Sequence, residues 1–268
     1  MGRHLQKGFT IIETMLVLAI TALLVGGLLV GFGASISVQR YKDSVTTLKS
    51  LVQSQYAQAE SVTNDRDKNW SCDATARPSR GSTPVADAGQ TDCVVLGRYM
   101  TIVGTDIASS TVIGFKASNN TATNDVQSIT SNYTLGVPPG SIETTSLEWG
   151  AQITSGKSGP DIVSLTPRAF SMLIVRSPDS GTFYTFTSNT AVAPASVSSS
   201  ALKAMMVLGP TIPGQAPRTL CIDVNEGPVK PPIPETMSLF IGATASGPGA
   251  IEVRVDTMVP NGGTKCDS

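Results

Sequence analysis

The chain has 268 residues, 40% of them apolar and 15% charged, with 19 basic and 20 acidic side chains and a formal net charge of −1. So even a balance, with no block of like charge, leaves no basis for an electrostatic nucleic-acid binder. The composition outside the N-terminus is rich in Thr, Ser, Gly and Pro, which suggests many short strands and turns more than a helical body.

The first element is a short polar leader, Met1 to Gly8, carrying the fixed positive charges Arg3 and Lys7. From Phe9 to Ile36 the chain is almost wholly apolar or small, with Glu13 as its one charged residue. A helix of that length exceeds the roughly 20 residues needed to cross a bilayer core. Arg3 and Lys7 ahead of it place its start on the cytoplasmic side, so the rest of the chain is expected outside the cytoplasm. A secretory signal peptide has an apolar region of only about 7–15 residues, although Gly33 and Ser35 could form a weak small-x-small cleavage site. A plain transmembrane anchor accounts for length and topology but not for Glu13, since an ionisable group within a membrane helix is expensive and usually marks function.

The run Lys7-Gly8-Phe9-Thr10-Ile11-Ile12-Glu13-Thr14-Met15-Leu16-Val17 resembles the N-terminal signature of type IV prepilins and pseudopilins. In that family a basic leader ends in Gly, the first mature residue is usually Phe and the fifth is Glu. Gly8, Phe9 and Glu13 stand in that register. The resemblance covers about the first 40 residues. It implies cleavage between Gly8 and Phe9 by a membrane prepilin peptidase, methylation of the Phe9 amine, and a role for Glu13, with Thr10 beside it, in assembly. It also implies other pilin subunits and the pilus assembly platform with its ATPase as partners. The membrane would hold the precursor by a single pass before the subunit enters an extracellular or cell-surface filament. The chain departs from many major pilins at Val30, near which they carry a proline, so no kink is implied there. Gly26, Gly27, Gly31 and Gly33 fit close packing of membrane helices, or a segment able to stretch in a filament.

Beyond Ile36, apolar residues recur every three or four positions: Val38, Tyr41, Val45, Leu48, Val52, Tyr56, Ala59 and Val62. This is one face of a continuing amphipathic helix, packed on the protein's own globular part. Asn64-Asp65 is a plausible stop, and a helix from Phe9 to that point would reach roughly 80 Å. The domain layout expected is therefore leader 1–8, transmembrane or filament-core helix 9–36, amphipathic continuation 37–64 and a β-rich extracytoplasmic head 65–268.

Residues 65–92 read as a polar loop. Strand-like runs follow at 94–103, 111–117, 126–135, 145–153, 169–176, 181–187, 203–208, 218–224, 236–242 and 250–258, separated by turn signals such as Pro138-Pro139-Gly140. The fold class is α+β: a long N-terminal helix packed on an antiparallel, pilin-like β-sheet head, with an enlarged or double sheet.

Cys72, Cys93, Cys221 and Cys266 all fall in the head, an even count that suits disulfides in an oxidising compartment. Three pairings are possible, and neighbours in sequence, Cys72–Cys93 and Cys221–Cys266, are the first expectation. No C-x-x-C pair supports zinc, and neither a metal nor a cofactor is expected. The only histidine, His4, leaves with the leader, which removes histidine-based catalysis from the mature form, and no enzymatic activity is expected. Ala151 to Ser158 fits a relaxed phosphate-loop pattern but lacks the strand–loop–helix context. Asn69, Asn119 and Asn132 stand in glycosylation sequons, better read as polar loops. Phe183, Tyr184 and Phe186 read as sheet packing. Without Arg3 and Lys7 the mature chain keeps 17 basic residues against 20 acidic ones, so DNA affinity should be weak.

Overall fold

A computed structural model describes residues 10–61, 70–80, 93–154, 169–206, 217–224, 237–242, 245–255 and 266. The leader, Phe9, the Asn64-Asp65 stop, Asn69 and the Ser155–Ser158 part of the phosphate-loop match lie outside them. The long helix is present: α1 runs unbroken over Ile11–Glu60, about 75 Å at 1.5 Å per residue, and passes Gly33 and Ser35 without interruption. Ser61 closes it, its N–H donating to the Ala57 carbonyl.

The head is built from antiparallel strands in two main sheets. The larger holds β3 (Cys93–Val103), β4 (Asp106–Lys116), β5 (Tyr133–Gly136), β6 (Glu143–Ser146), β8 (Ala169–Arg176) and β9 (Phe183–Ser188). Its order is β5-β4-β3-β8-β9, with β6 pairing alongside β5 on the outer edge of β4. The smaller sheet runs β12-β11-β10-β7, from Ile251–Val255, Met237–Ile241, Arg218–Val224 and Ala151–Thr154. The segment expected to be a plain loop carries a small hairpin, β1 (Trp70–Cys72) and β2 (Pro78–Arg80). Its turn is organised by Asp73, whose carboxylate accepts from the Thr75 N–H at 2.9 Å and the Arg77 N–H at 3.0 Å.

The C-terminal half of α1 lies against both sheets. Tyr41, Val45, Leu48, Val52, Tyr56 and Ala59 are buried with Met100 and Ile102 of β3, Phe170, Met172 and Ile174 of β8, and Leu220, Ile222, Leu239 and Ile241 of the smaller sheet. Polar contacts fix the register. The Tyr41 hydroxyl donates to the Ile222 carbonyl at 3.0 Å and accepts from the Met237 N–H at 2.6 Å. Gln55 accepts from the Arg98 guanidinium at 3.0 Å, and Tyr56 meets the Thr185 hydroxyl at 2.8 Å. Alternate residues of β8, Leu173 and Val175, face the opposite side into a second core with Tyr99, Val112 and Phe186.

That second core corrects two of the strand expectations. Part of 126–135 is helix α2, Asp125–Asn132, which presents Val126 and Ile129 to the sheet. Asn124 caps it, the side chain accepting from the Gln127 N–H at 2.8 Å. Part of 203–208 is helix α3, Ser199–Met205, capped by Ser198 and buried through Leu202, with Met206 following it into the core. The larger sheet is thus covered on both faces. The run 145–153 is also divided: β6 belongs to the larger sheet and β7 to the smaller. A tight turn, Glu148–Gly150, switches between them with Trp149 at φ 59° and Gly150 at φ 66°.

Close backbone approach dictates glycine at Gly97, where β3 carries a bulge and an added Cβ would land on the Ile174 carbonyl oxygen. Two disulfides tie the periphery to the sheets. Cys72 bonds Cys93 at the start of β3, and Cys221 in β10 bonds Cys266 near the C-terminus.

Candidate functional site

The two halves of α1 share one continuous backbone and have opposite environments. Ile11 is 79% exposed, Leu23 78% and Leu29 67%, whereas Val45, Leu48 and Val52 are fully buried. No part of the most apolar window is covered by the rest of the chain. Among the described residues this is the one helix long and apolar enough to cross a membrane. So large a continuous apolar surface on all sides of a helix demands lipid or other helices around it.

Local chemistry adapts the segment to such surroundings. Thr10 caps the start, its hydroxyl accepting from the Glu13 N–H at 3.4 Å. The Thr14 hydroxyl donates back to the Ile11 carbonyl at 2.8 Å, Thr21 to Val17 at 2.8 Å and Ser37 to Gly33 at 3.1 Å. These three hydroxyls therefore satisfy their donors within the helix. At Gly26, Gly27, Gly31 and Gly33 an added Cβ would meet open space, so nothing among the described residues explains these glycines by packing. Glu13 sits in the first turn, exposed, where the unpaired N–H groups of the helix start favour an anion. Thr10 and Glu13 are brought together by the cap; Gly8, Phe9, Arg3 and Lys7 lie outside the described residues.

The turn at Trp149 meets α1 where its apolar half ends. The Arg40 guanidinium stacks over the Trp149 ring, 4.5 Å from its centroid, and the Ser44 hydroxyl donates to the Glu148 carbonyl at 2.9 Å. Trp149 stays 43% exposed. Sequence reasoning passed over this residue; the Trp149-Gly150 pair inside an otherwise strand-like run was its one signal.

Elsewhere many polar groups of the head are engaged with one another. A groove of about 400 Å³ beside α2 is lined by Lys116, Asn120, Thr123, Asp125, Ser128 and Asp179. Asp125 accepts from the Ser180 hydroxyl and, at 3.1 Å, from Tyr184, and the Ser180 contact holds its carboxyl below the usual range. Asp179 accepts from Ser128 at 2.8 Å. Among the described residues no group of three His, Cys, Asp or Glu side chains could hold a metal. Of the sequons, Asn119 is exposed, but Asn132 is buried and spends its side chain on both the N–H and the carbonyl of Asn120. Phe186 is buried in the second core, and Phe183 packs against the first.

Residues 3–29 match the family model described as the prokaryotic N-terminal methylation motif. This is the type IV pilin and pseudopilin signature, and it spans the apolar start of α1. No curated protein matches the chain significantly, and no solved structure does so.

Proposed function

We propose that this chain is a structural subunit, a pilin or pseudopilin, of a type IV pilus-class filament. It is matured by cleavage between Gly8 and Phe9 and assembled through residues 9–36. The observation that carries the reading is the joining of two features in one helix. The N-terminal methylation motif runs into an apolar half that the chain leaves uncovered, and the same helix then becomes the spine of a disulfide-bonded head.

The electrostatics supply a mechanism. Before processing, Arg3 and Lys7 hold the helix start at the cytoplasmic face. Their removal leaves an amine at Phe9 and a carboxylate at Glu13, four residues on and on one helical face. An unpaired carboxylate in lipid is strongly disfavoured, and a cationic Phe9 amine of the same or a neighbouring subunit would neutralise it. Neighbouring apolar halves would then cover the surface that lipid covers in the precursor. Other subunits, the prepilin peptidase and the assembly machinery are the partners this requires.

Intact-mass measurement and N-terminal peptide mapping of the protein from its own cells test the reading. The expected chain begins at N-methylated Phe9. A chain that keeps Met1–Gly8 in cells with an active prepilin peptidase would leave only a membrane-anchored extracellular domain. Glu13→Leu should still insert in the membrane yet assemble poorly, whereas a mere anchor would tolerate it.

A further inference from the structure

We propose that Trp149, with Arg40, is a membrane-interface anchor that seats the head of the unassembled chain on the outer surface of the phospholipid bilayer.

The placement comes from the helix. The head begins to cover α1 at Ser37 and Val38 and buries it from Tyr41, while Ile36, immediately before, is still 48% exposed. Thr14 to Ile36 spans about 34 Å, close to a hydrocarbon core of about 30 Å with a modest tilt. While Arg3 and Lys7 of the unprocessed chain hold Glu13 at the cytoplasmic interface, Ile36 therefore lies at the opposite boundary. Arg40 is one turn further, about 6 Å along the axis, within the headgroup layer of roughly 5–7 Å on each side of the core. Ile36 and Arg40, four residues apart, share a helical face, and Trp149 is stacked under Arg40, so the indole continues the lipid-facing surface.

The chemistry of Trp149 suits that layer. The indole is a flat apolar body with one N–H donor, the combination enriched where membrane meets water. Among the described residues no protein group accepts from this N–H, which leaves it available for a lipid carbonyl or phosphate. Its partner Arg40 carries a guanidinium, a group whose geometry suits phosphate. The backbone holds the ring there against its own preference: a non-glycine residue at φ 59° is disfavoured, yet the turn is clamped by Ser44 at the Glu148 carbonyl. A core role would have buried the ring, which stays 43% exposed.

The test uses the full unprocessed chain in vesicles of phosphatidylethanolamine and phosphatidylglycerol. Trp70 and Trp149 are its two tryptophans, so Trp70→Phe makes Trp149 the reporter. The wild-type minus Trp149→Phe difference gives the same signal should Trp70→Phe misfold. Expected is quenching at least about twofold stronger by lipids brominated near the headgroup end of the acyl chain than near its methyl end, with aqueous acrylamide largely excluded. Full acrylamide access without bromolipid quenching, in chains that protease protection shows to be inserted, overturns the proposal. So does shielding of Trp149 found only in assembled filaments, which would assign it to a contact between subunits. The measurement needs neither peptidase nor filament, so its failure is distinct from failure of the filament reading.

Discussion

Tyr56 shows how single side chains of α1 are matched to the head. Its ring is buried, and its hydroxyl donates to Thr185, which passes the bond to the Ala245 carbonyl at 2.6 Å. Burial pushes the Tyr56 hydroxyl up to about 12, against an ordinary value of 10.0. Burial also raises Tyr99 and Tyr133. A raised folded-state value means that the neutral phenol is favoured by folding. The contribution is whole below pH 10.0 and is lost as pH climbs toward about 12. The head should therefore lose stability across that window, by on the order of 2 kcal/mol from Tyr56 alone. Tyr56→Phe should cost about 1 kcal/mol at neutral pH but decline less steeply in alkali. Urea titrations followed by circular dichroism at stepped pH decide it, and parallel curves for the two proteins would contradict the assignment. The position of Tyr56 on the buried face was legible from helical spacing. Its partner Thr185, 129 residues away, was not, because nothing local to either residue announces the other.

At the scale of elements, α1 is one helix with two solvents. Spacing alone gave its buried face, because a stripe repeating every three to four residues has no other stable use in water. Its uncovered half was legible from length and apolarity. The short helices α2 and α3 were misread as strands. Val126, Ile129 and Thr130 are β-branched, which favours strand locally, but each helix is needed to cover the far face of the larger sheet. Asn124 and Ser198 as caps were the available signals. The two halves of α1 should respond oppositely to the same change. Leu48→Ala removes a fully buried side chain shared by helix and sheets and should destabilise the head by about 2–5 kcal/mol. Leu18→Ala alters a residue 68% exposed and should leave the head's urea midpoint in detergent unchanged. Equal shifts from both would mean that the apolar half also packs on the head.

Across the whole molecule, α1 makes the two sheets one folding unit, since the same helix face fills the core of each. That they are antiparallel and enlarged was readable from short strands and turn spacing. Their order was not, because it rests on long-range pairs such as β3 with β8 that no local pattern encodes. The disulfides probe this unity, one in each region: Cys72–Cys93 closes a separation of 21 residues at the start of β3 in the larger sheet, and Cys221–Cys266 closes 45 onto the smaller. Restricting the unfolded chain over these spans is worth about 3 and about 4 kcal/mol respectively, so Cys221→Ala/Cys266→Ala should lower the urea midpoint more than Cys72→Ala/Cys93→Ala. Cys221 and Cys266 are both buried, so the larger loss also carries a packing component. If α1 couples the sheets, either double variant shifts a single transition seen equally by circular dichroism and tryptophan fluorescence. A smaller sheet that melts first, while the larger persists, would show that the shared helix does not bind them into one cooperative unit.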